Sequence, residues 1–425
     1  MSRPLRQLDA PPPGVPRWVP LAWLGCALVW LATGAAGLLL VSPELAEGNL
    51  YSPRVFAVTH LFTLGVLLSA ILGALHQFIP VVLGVPIRHP RVAAAGFWLS
   101  QGGTALLVYG FWTWRPAFQA IAWLLLFAAI GAASWTVLPA RRRATQNRFV
   151  GGFVSLGHSA LGVAMLIALA RLGQGLGWWQ VPRNGLLVAH FHLGLVGFGS
   201  MTAVGMGAKM LPAFLKSAGE PEPSTLHRIG WLAGPGLLLL AAGAIAEFSP
   251  LIVTGGGLTL AAVGLHLLLM LGYWRRRSVP TLDPALGFIG AAMLWYGAAA
   301  VAGGWILIRR PPGGRTWIAY GLAAVLGWLI HLLAGVLHRI GPRLAANLRA
   351  ERGRALTPAQ ARAELPWPKL SWVSLAGLSI GTAWLIIAVL LGEPTSARAA
   401  SGVVLAGAIG LLVQAAAVGG GAIVD

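Results

Sequence analysis

Leu187-Val-Ala-His-Phe-His-Leu-Gly-Leu-Val-Gly-Phe-Gly-Ser-Met-Thr-Ala-Val-Gly-Met-Gly-Ala-Lys-Met-Leu-Pro-Ala-Phe214 decides the fold class. It is long and apolar enough to span a bilayer. His190 and His192 stand near its start, and glycines run down its length. Imidazole is costly in lipid unless it faces the protein interior and finds a partner. Two imidazoles beside a row of glycines read as ligands next to a cleared space. A flat macrocycle such as haem needs that arrangement: axial donors, and no side chains where the ring lies.

The rest of the chain has the same character. Of 425 residues, 57% are hydrophobic and 10% charged, and the mean hydropathy is +0.76, the composition of a polytopic membrane protein. The pattern predicts an all-α integral membrane fold of about twelve spans. They lie near 18–41, 53–85, 93–113, 117–138, 149–171, 184–214, 228–247, 250–274, 284–308, 316–340, 370–392 and 399–422. The first apolar run is of full spanning length behind a Pro-rich start, so no cleavable signal peptide is expected. The whole chain, 1–425, reads as a single polytopic domain.

The net charge of +19 is a topology signal rather than a nucleic-acid footprint. The N-terminus and the loops after even-numbered spans hold 21 of the 30 cations, including the basic loop 339–369. The opposite side holds 8, and Lys209 lies within a span. That asymmetry predicts both termini in the cytoplasm of a bacterial inner membrane. The basic loop could also touch anionic lipid. A single cysteine, Cys26, excludes an internal disulfide and iron–sulfur ligation. With no Cys-x-x-Cys-His present, any haem would be bound non-covalently, as haem b.

A period emerges when span 2, Val58 to Pro80, is set against spans 6 and 10. His60 lies 20 residues before Pro80 and His192 lies 20 before Pro212. His76 stands four before Pro80 and His338 four before Pro342, and the prolines are 132 and 130 residues apart. Trp98, Trp231 and Trp372 open spans 3, 7 and 11, and triple arginines follow spans 4 and 8. The expectation is three pseudo-symmetric four-helix repeats, near 18–92, 93–227 and 228–392, closed by 399–422. Spans 2, 6 and 10 then run in one direction, with His60 and His192 level about two turns below the outer surface. Such a pair can ligate one iron from opposite faces. The competing reading is two histidines bonded to neighbouring carbonyls. Deeper lie His76, His158, His266, His331 and His338, candidates for a second haem or a metal. Their bland alternative is helix capping and interior packing. The tryptophans at span ends form an interfacial belt, and Gly255-Gly-Gly257 reads as close helix packing.

Spans 6 and 2 together resemble the catalytic subunit of haem–copper oxygen and nitric oxide reductases. The motifs are His190-Phe191-His192 with Met210-Leu211-Pro212, and His60 with Pro80-Val-Val-Leu-Gly84. The resemblance implies twelve helices in three arcs, His60 and His192 on a low-spin haem, and His190 on a second, ligand-binding haem. Met201-Thr-x-x-Gly-Met206 is also similar to membrane haem proteins of the NnrS type, associated with nitric oxide stress. The chain departs from the oxidase pattern at three points: it has no His-His pair for a copper site, no carboxylate inside a span, and the reverse order of the two motif helices. Copper remains possible, but a site of the oxidase kind is not evident, and proton pumping is not expected. The expected function is electron transfer, or binding or reduction of nitric oxide or oxygen. The alternatives are a non-catalytic metal- or haem-handling or oxidase-assembly protein, and a haem-free transporter. The partners in view are the lipid bilayer, a redox or oxidase-assembly protein, and a second copy of the chain.

Overall fold

Twelve long helices make up the protein among the described residues, which in this computed structural model are 16, 18–144, 146–180, 183–217, 223–309, 313–351 and 367–424. They are α1 (Trp18–Glu47), α2 (Pro53–Leu83), α3 (Pro90–Trp112), α4 (Pro116–Arg143), α5 (Arg148–Gly175) and α6 (Asn184–Leu215). The second half holds α7 (Pro223–Ile245), α8 (Ser249–Arg275), α9 (Pro284–Ile308), α10 (Gly314–Pro342), α11 (Pro368–Leu391) and α12 (Pro394–Val424). Eleven of them are long and apolar enough to cross a membrane. The exception, α3, is 23 residues long and carries Ser100, Gln101 and Thr104. Helical structure continues from α10 to Glu351, so the segment expected as a loop from residue 339 begins as helix. The remainder of that loop, 352–366, lies outside the described residues.

Local chemistry explains the helix ends. Proline occupies the first turn of α2, α3, α4, α8, α9 and α11, where its missing N–H costs nothing. Gly84 and Gly392 end α2 and α11 at φ 70° and 76°, a left-handed backbone that favours glycine. Asp283 caps α9 by accepting from Leu286 N at 3.0 Å, and its second oxygen meets Arg339 at 2.8 Å. Asp283→Ala should lower stability by about 1 kcal/mol, mostly through the lost cap, as a drop in the melting temperature of the purified protein.

Three helices form the centre. Their apolar windows are 72% (α2), 61% (α6) and 72% (α10) buried, against 33–50% for the other eight that qualify as spans. Around them α3–α4, α7–α8 and α11–α12 pack as close pairs, and α1 meets α12 to close the ring. Each central helix widens into a π-helical stretch, Leu61–Leu68, Leu193–Ser200 and Ala323–Ile330, and these stretches touch one another. A π turn loosens the ordinary carbonyl ladder, and a side chain at the end of each stretch responds. Ser69 Oγ donates to Leu64 O at 3.5 Å, Ser200 Oγ to Leu195 O at 3.3 Å, and His331 Nδ1 to Leu326 O at 2.7 Å.

Further hydrogen bonds hold the two serines. Gln101 donates to Ser69 Oγ at 3.1 Å while accepting from Trp30 Nε1, and Trp328 Nε1 donates to Ser200 Oγ at 3.1 Å. Ser200→Ala removes the partner of a buried indole N–H. The expected cost is about 1–3 kcal/mol, read as lower thermal stability.

Candidate functional site

A cavity of about 1130 Å³ opens among the central helices, with His60, His190 and His192 all on its wall. Its lining is mostly apolar, as a cofactor pocket in a bundle requires. All three histidines share one device. His60 Nδ1 lies 2.7 Å from Phe56 O, His190 Nδ1 3.0 Å from Ala164 O, and His192 Nδ1 2.8 Å from Val188 O. A carbonyl can only accept, so each neutral ring carries its proton on Nδ1 and keeps its lone pair on Nε2. That is the tautomer a metal-ligating imidazole needs, with the orienting hydrogen bond in place. Carbonyl bonding, the competing reading of these histidines, is thus present, but it uses only one nitrogen of each ring.

The structure brings His60 against His190, not against His192. The His60 and His190 ring centres are 6.4 Å apart with planes tilted by 36°. His60 also stacks on Phe111 at 5.1 Å. His192 faces the other way: its ring stacks on Tyr320 at 5.9 Å, Trp317 lies edge-on at 6.3 Å, and the Tyr320 hydroxyl is 3.4 Å from Nε2. The cause is helix geometry. Residues two apart on an α-helix project about 200° from each other, so His190 and His192 serve opposite sides of α6. The ring that stands beside His60 is thus that of His190, fixed by Ala164 of α5, whereas the expectation paired His60 with His192.

Polar groups gather toward one end of the cavity. Arg171, Asn184, Tyr51 and Glu247 line it there, Tyr51 bonds Asn184, and the Arg171 guanidinium lies 5.9 Å over the Phe56 ring. Phe111, Trp317, Tyr320 and Arg171 were not singled out from the sequence. The available signal was scarcity, since the chain has only five tyrosines and Tyr320 stands within a span.

The deeper histidines meet in pairs at most: His76 and His158 lie within electrostatic reach of each other, and His331 and His338 both face Phe288. Among the described residues no three His, Cys, Asp or Glu side chains come together as a metal site. His331 engages both nitrogens: Nδ1 donates to Leu326 O, and the Nε2 lone pair accepts from the Ser379 hydroxyl at 2.9 Å. His76 bonds Leu72 O at 2.7 Å and turns Nε2 to Thr136 at 3.4 Å. His158 bonds Val154 O and meets Phe198, and His338 bonds Ala334 O and stacks on Phe288. His266 packs against Tyr296 and Trp328. Among the described residues the expected second site thus has no three-ligand cluster, and its histidines make the contacts of the packing alternative.

No family model matches this chain, and no curated protein matches it either.

Proposed function

We propose that this is a membrane b-type haem protein in which His60 and His190 hold one iron from opposite sides. The observation that carries the reading is the pair itself: two oriented imidazoles with free Nε2 lone pairs on one apolar cavity wall, 6.4 Å between ring centres. Metal–nitrogen bonds of about 2 Å on each side put two ligating rings roughly 6 Å apart, which this spacing meets. The residues present fit the group. Phe111 holds the His60 ring, Ala164 O holds that of His190, the apolar wall excludes water, and Arg171 supplies a cation. Haem bound here would supply a one-electron couple whose potential the burial tunes.

Two histidines holding the iron would favour electron transfer. Binding of a diatomic gas, nitric oxide before oxygen, would require one histidine to leave or a second centre at His192. The resemblance to haem–copper oxidases and to NnrS-type proteins supports the same class.

The proposal includes the architecture and its setting. Three four-helix units are supported by the π stretches, which begin 132 and 130 residues apart, and by Ser69, Ser200 and His331, which are 131 apart and make the same backward bond. Placement in a bacterial inner membrane with cytoplasmic termini rests on the arginine asymmetry.

The test is the ultraviolet–visible spectrum of the detergent-purified protein made with adequate haem supply. The expected result is a sharp, low-spin reduced α-band on dithionite treatment, little changed by carbon monoxide. A preparation with no Soret band would sink the reading. The large apolar cavity would then favour a haem-free carrier of an apolar solute.

A further inference from the structure

One end of the bundle gathers cations with no carboxylate near them in the chain: residues 48–219 contain neither aspartate nor glutamate. Arg88 and Arg91 flank the α2–α3 connection, Arg141, Arg142 and Arg143 close α4, and Arg148 opens α5. These connections are tied together. Arg143 donates to Pro86 O at 3.2 Å, Asn147 to Val82 O at 2.8 Å and Gln146 to Val81 O at 3.3 Å. Gly151 lets the stem of Arg141 lie on α5, since a Cβ there would stand 3.0 Å from Arg141 Cγ. Membrane topology asks only that cations lie on one side. It does not ask that six arginines be drawn together, five of them exposed, against their mutual repulsion.

The adjoining flank suits the rest of a lipid. Trp98 on α3 and Trp135 on α4 are each 66% exposed, and these two helices pack as a pair. Trp135 is eight residues from Arg143, about 12 Å along the helix, and its ring lies 6.5 Å from that of His89 in the connection before α3. Cations above an exposed aromatic wall match a phosphate headgroup above acyl chains. The second arginine triplet is built differently: Arg276 lies over Tyr273, and Arg277 lies over Trp274 and donates to its carbonyl.

We propose that the first patch binds an anionic phospholipid with two phosphates in its headgroup, of the diphosphatidylglycerol class. One phosphate meets Arg88 and Arg91, the other meets Arg141 and Arg142, and the chains run along Trp98 and Trp135. Two phosphates match the two arginine sets, one on the α2–α3 connection and one at the end of α4.

The full-length protein is reconstituted in phosphatidylcholine nanodiscs doped with diphosphatidylglycerol, and retained lipid is read by native mass spectrometry. R88Q/R141Q should lower retention about twenty-fivefold, at roughly fivefold per arginine, while R275Q/R277Q leaves it within about twofold. On the unmodified protein, diphosphatidylglycerol should protect Arg88, Arg91, Arg141 and Arg142 from phenylglyoxal but leave Arg275, Arg276 and Arg277 open. That arm keeps the test decisive if the double variant does not fold. Equal retention by the two variants overturns the proposal. So does equal protection by phosphatidylglycerol, and so does protection by inorganic phosphate alone, which marks a simple anion site.

Discussion

Purified His190→Ala should lose the reduced α-band, with haem affinity down at least about 100-fold, while His192→Ala keeps it. Loss of a group that merely orients a metal ligand already costs 10- to 100-fold, and His190 is proposed as a ligand itself. In His192→Ala the change falls on the opposite side of α6, where the Tyr320 hydroxyl loses its acceptor but the His60–His190 pair stands. His60→Ala should behave as His190→Ala does. The two pairings are thereby separated. If His192→Ala destroys the spectrum and His190→Ala spares it, the pair expected from the repeat register, His60 with His192, is the true one. The readout is the haem-to-protein ratio and the reduced spectrum, with thermal stability measured alongside so that loss of haem is not mistaken for loss of fold.

The second large effect concerns the α7–α8 pair. A Cβ at Gly255 would stand 2.2 Å from Leu240 N and 2.6 Å from Gly236 O, both backbone atoms that cannot swing aside. Gly255→Ala must therefore push α8 away from α7 along their contact. Overpacking of this kind costs about 1–3 kcal/mol and more where backbone is struck, so a cost near 3 kcal/mol is expected, visible as a large fall in melting temperature and in the yield of monodisperse protein. Gly257, two residues on, has nothing within 4 Å of a built Cβ, and Gly257→Ala should be neutral or slightly stabilising. Equal behaviour of the two variants would contradict the close packing of α7 on α8. The sequence reading of Gly255-Gly-Gly257 as one packing face is thus refined to a graded one, since Gly256 meets only the end of the Leu307 side chain.

The helices were largely legible because length and apolarity are local properties. Span 9, expected at 284–308, is α9 at Pro284–Ile308, and span 6, expected at 184–214, is α6 at Asn184–Leu215. Helix ends were read short where polar residues carry on the helix, as in α4, which runs through Arg141–Arg143, and α10, which continues beyond Pro342. The π stretches had no clear sequence signature. Their composition is that of any apolar helix, and widening shows only when backbone bonds are traced. The inner histidines looked like a cluster because depth along an axis can be counted from sequence, whereas azimuth around the bundle cannot. His331 turned to Ser379 of α11 and His266 to Tyr296 of α9.

Sequence alone therefore determined the helical, membrane-spanning class, the twelve segments and the three histidines around which the cavity forms. These follow from composition and from one-dimensional spacing. Only the tertiary structure decided which imidazoles meet. Two residues along a helix reverse the direction of a side chain, so His-x-His could supply either ring to His60. The choice fell to the packing of α5, whose Ala164 carbonyl holds His190, and of α10, whose Tyr320 receives His192.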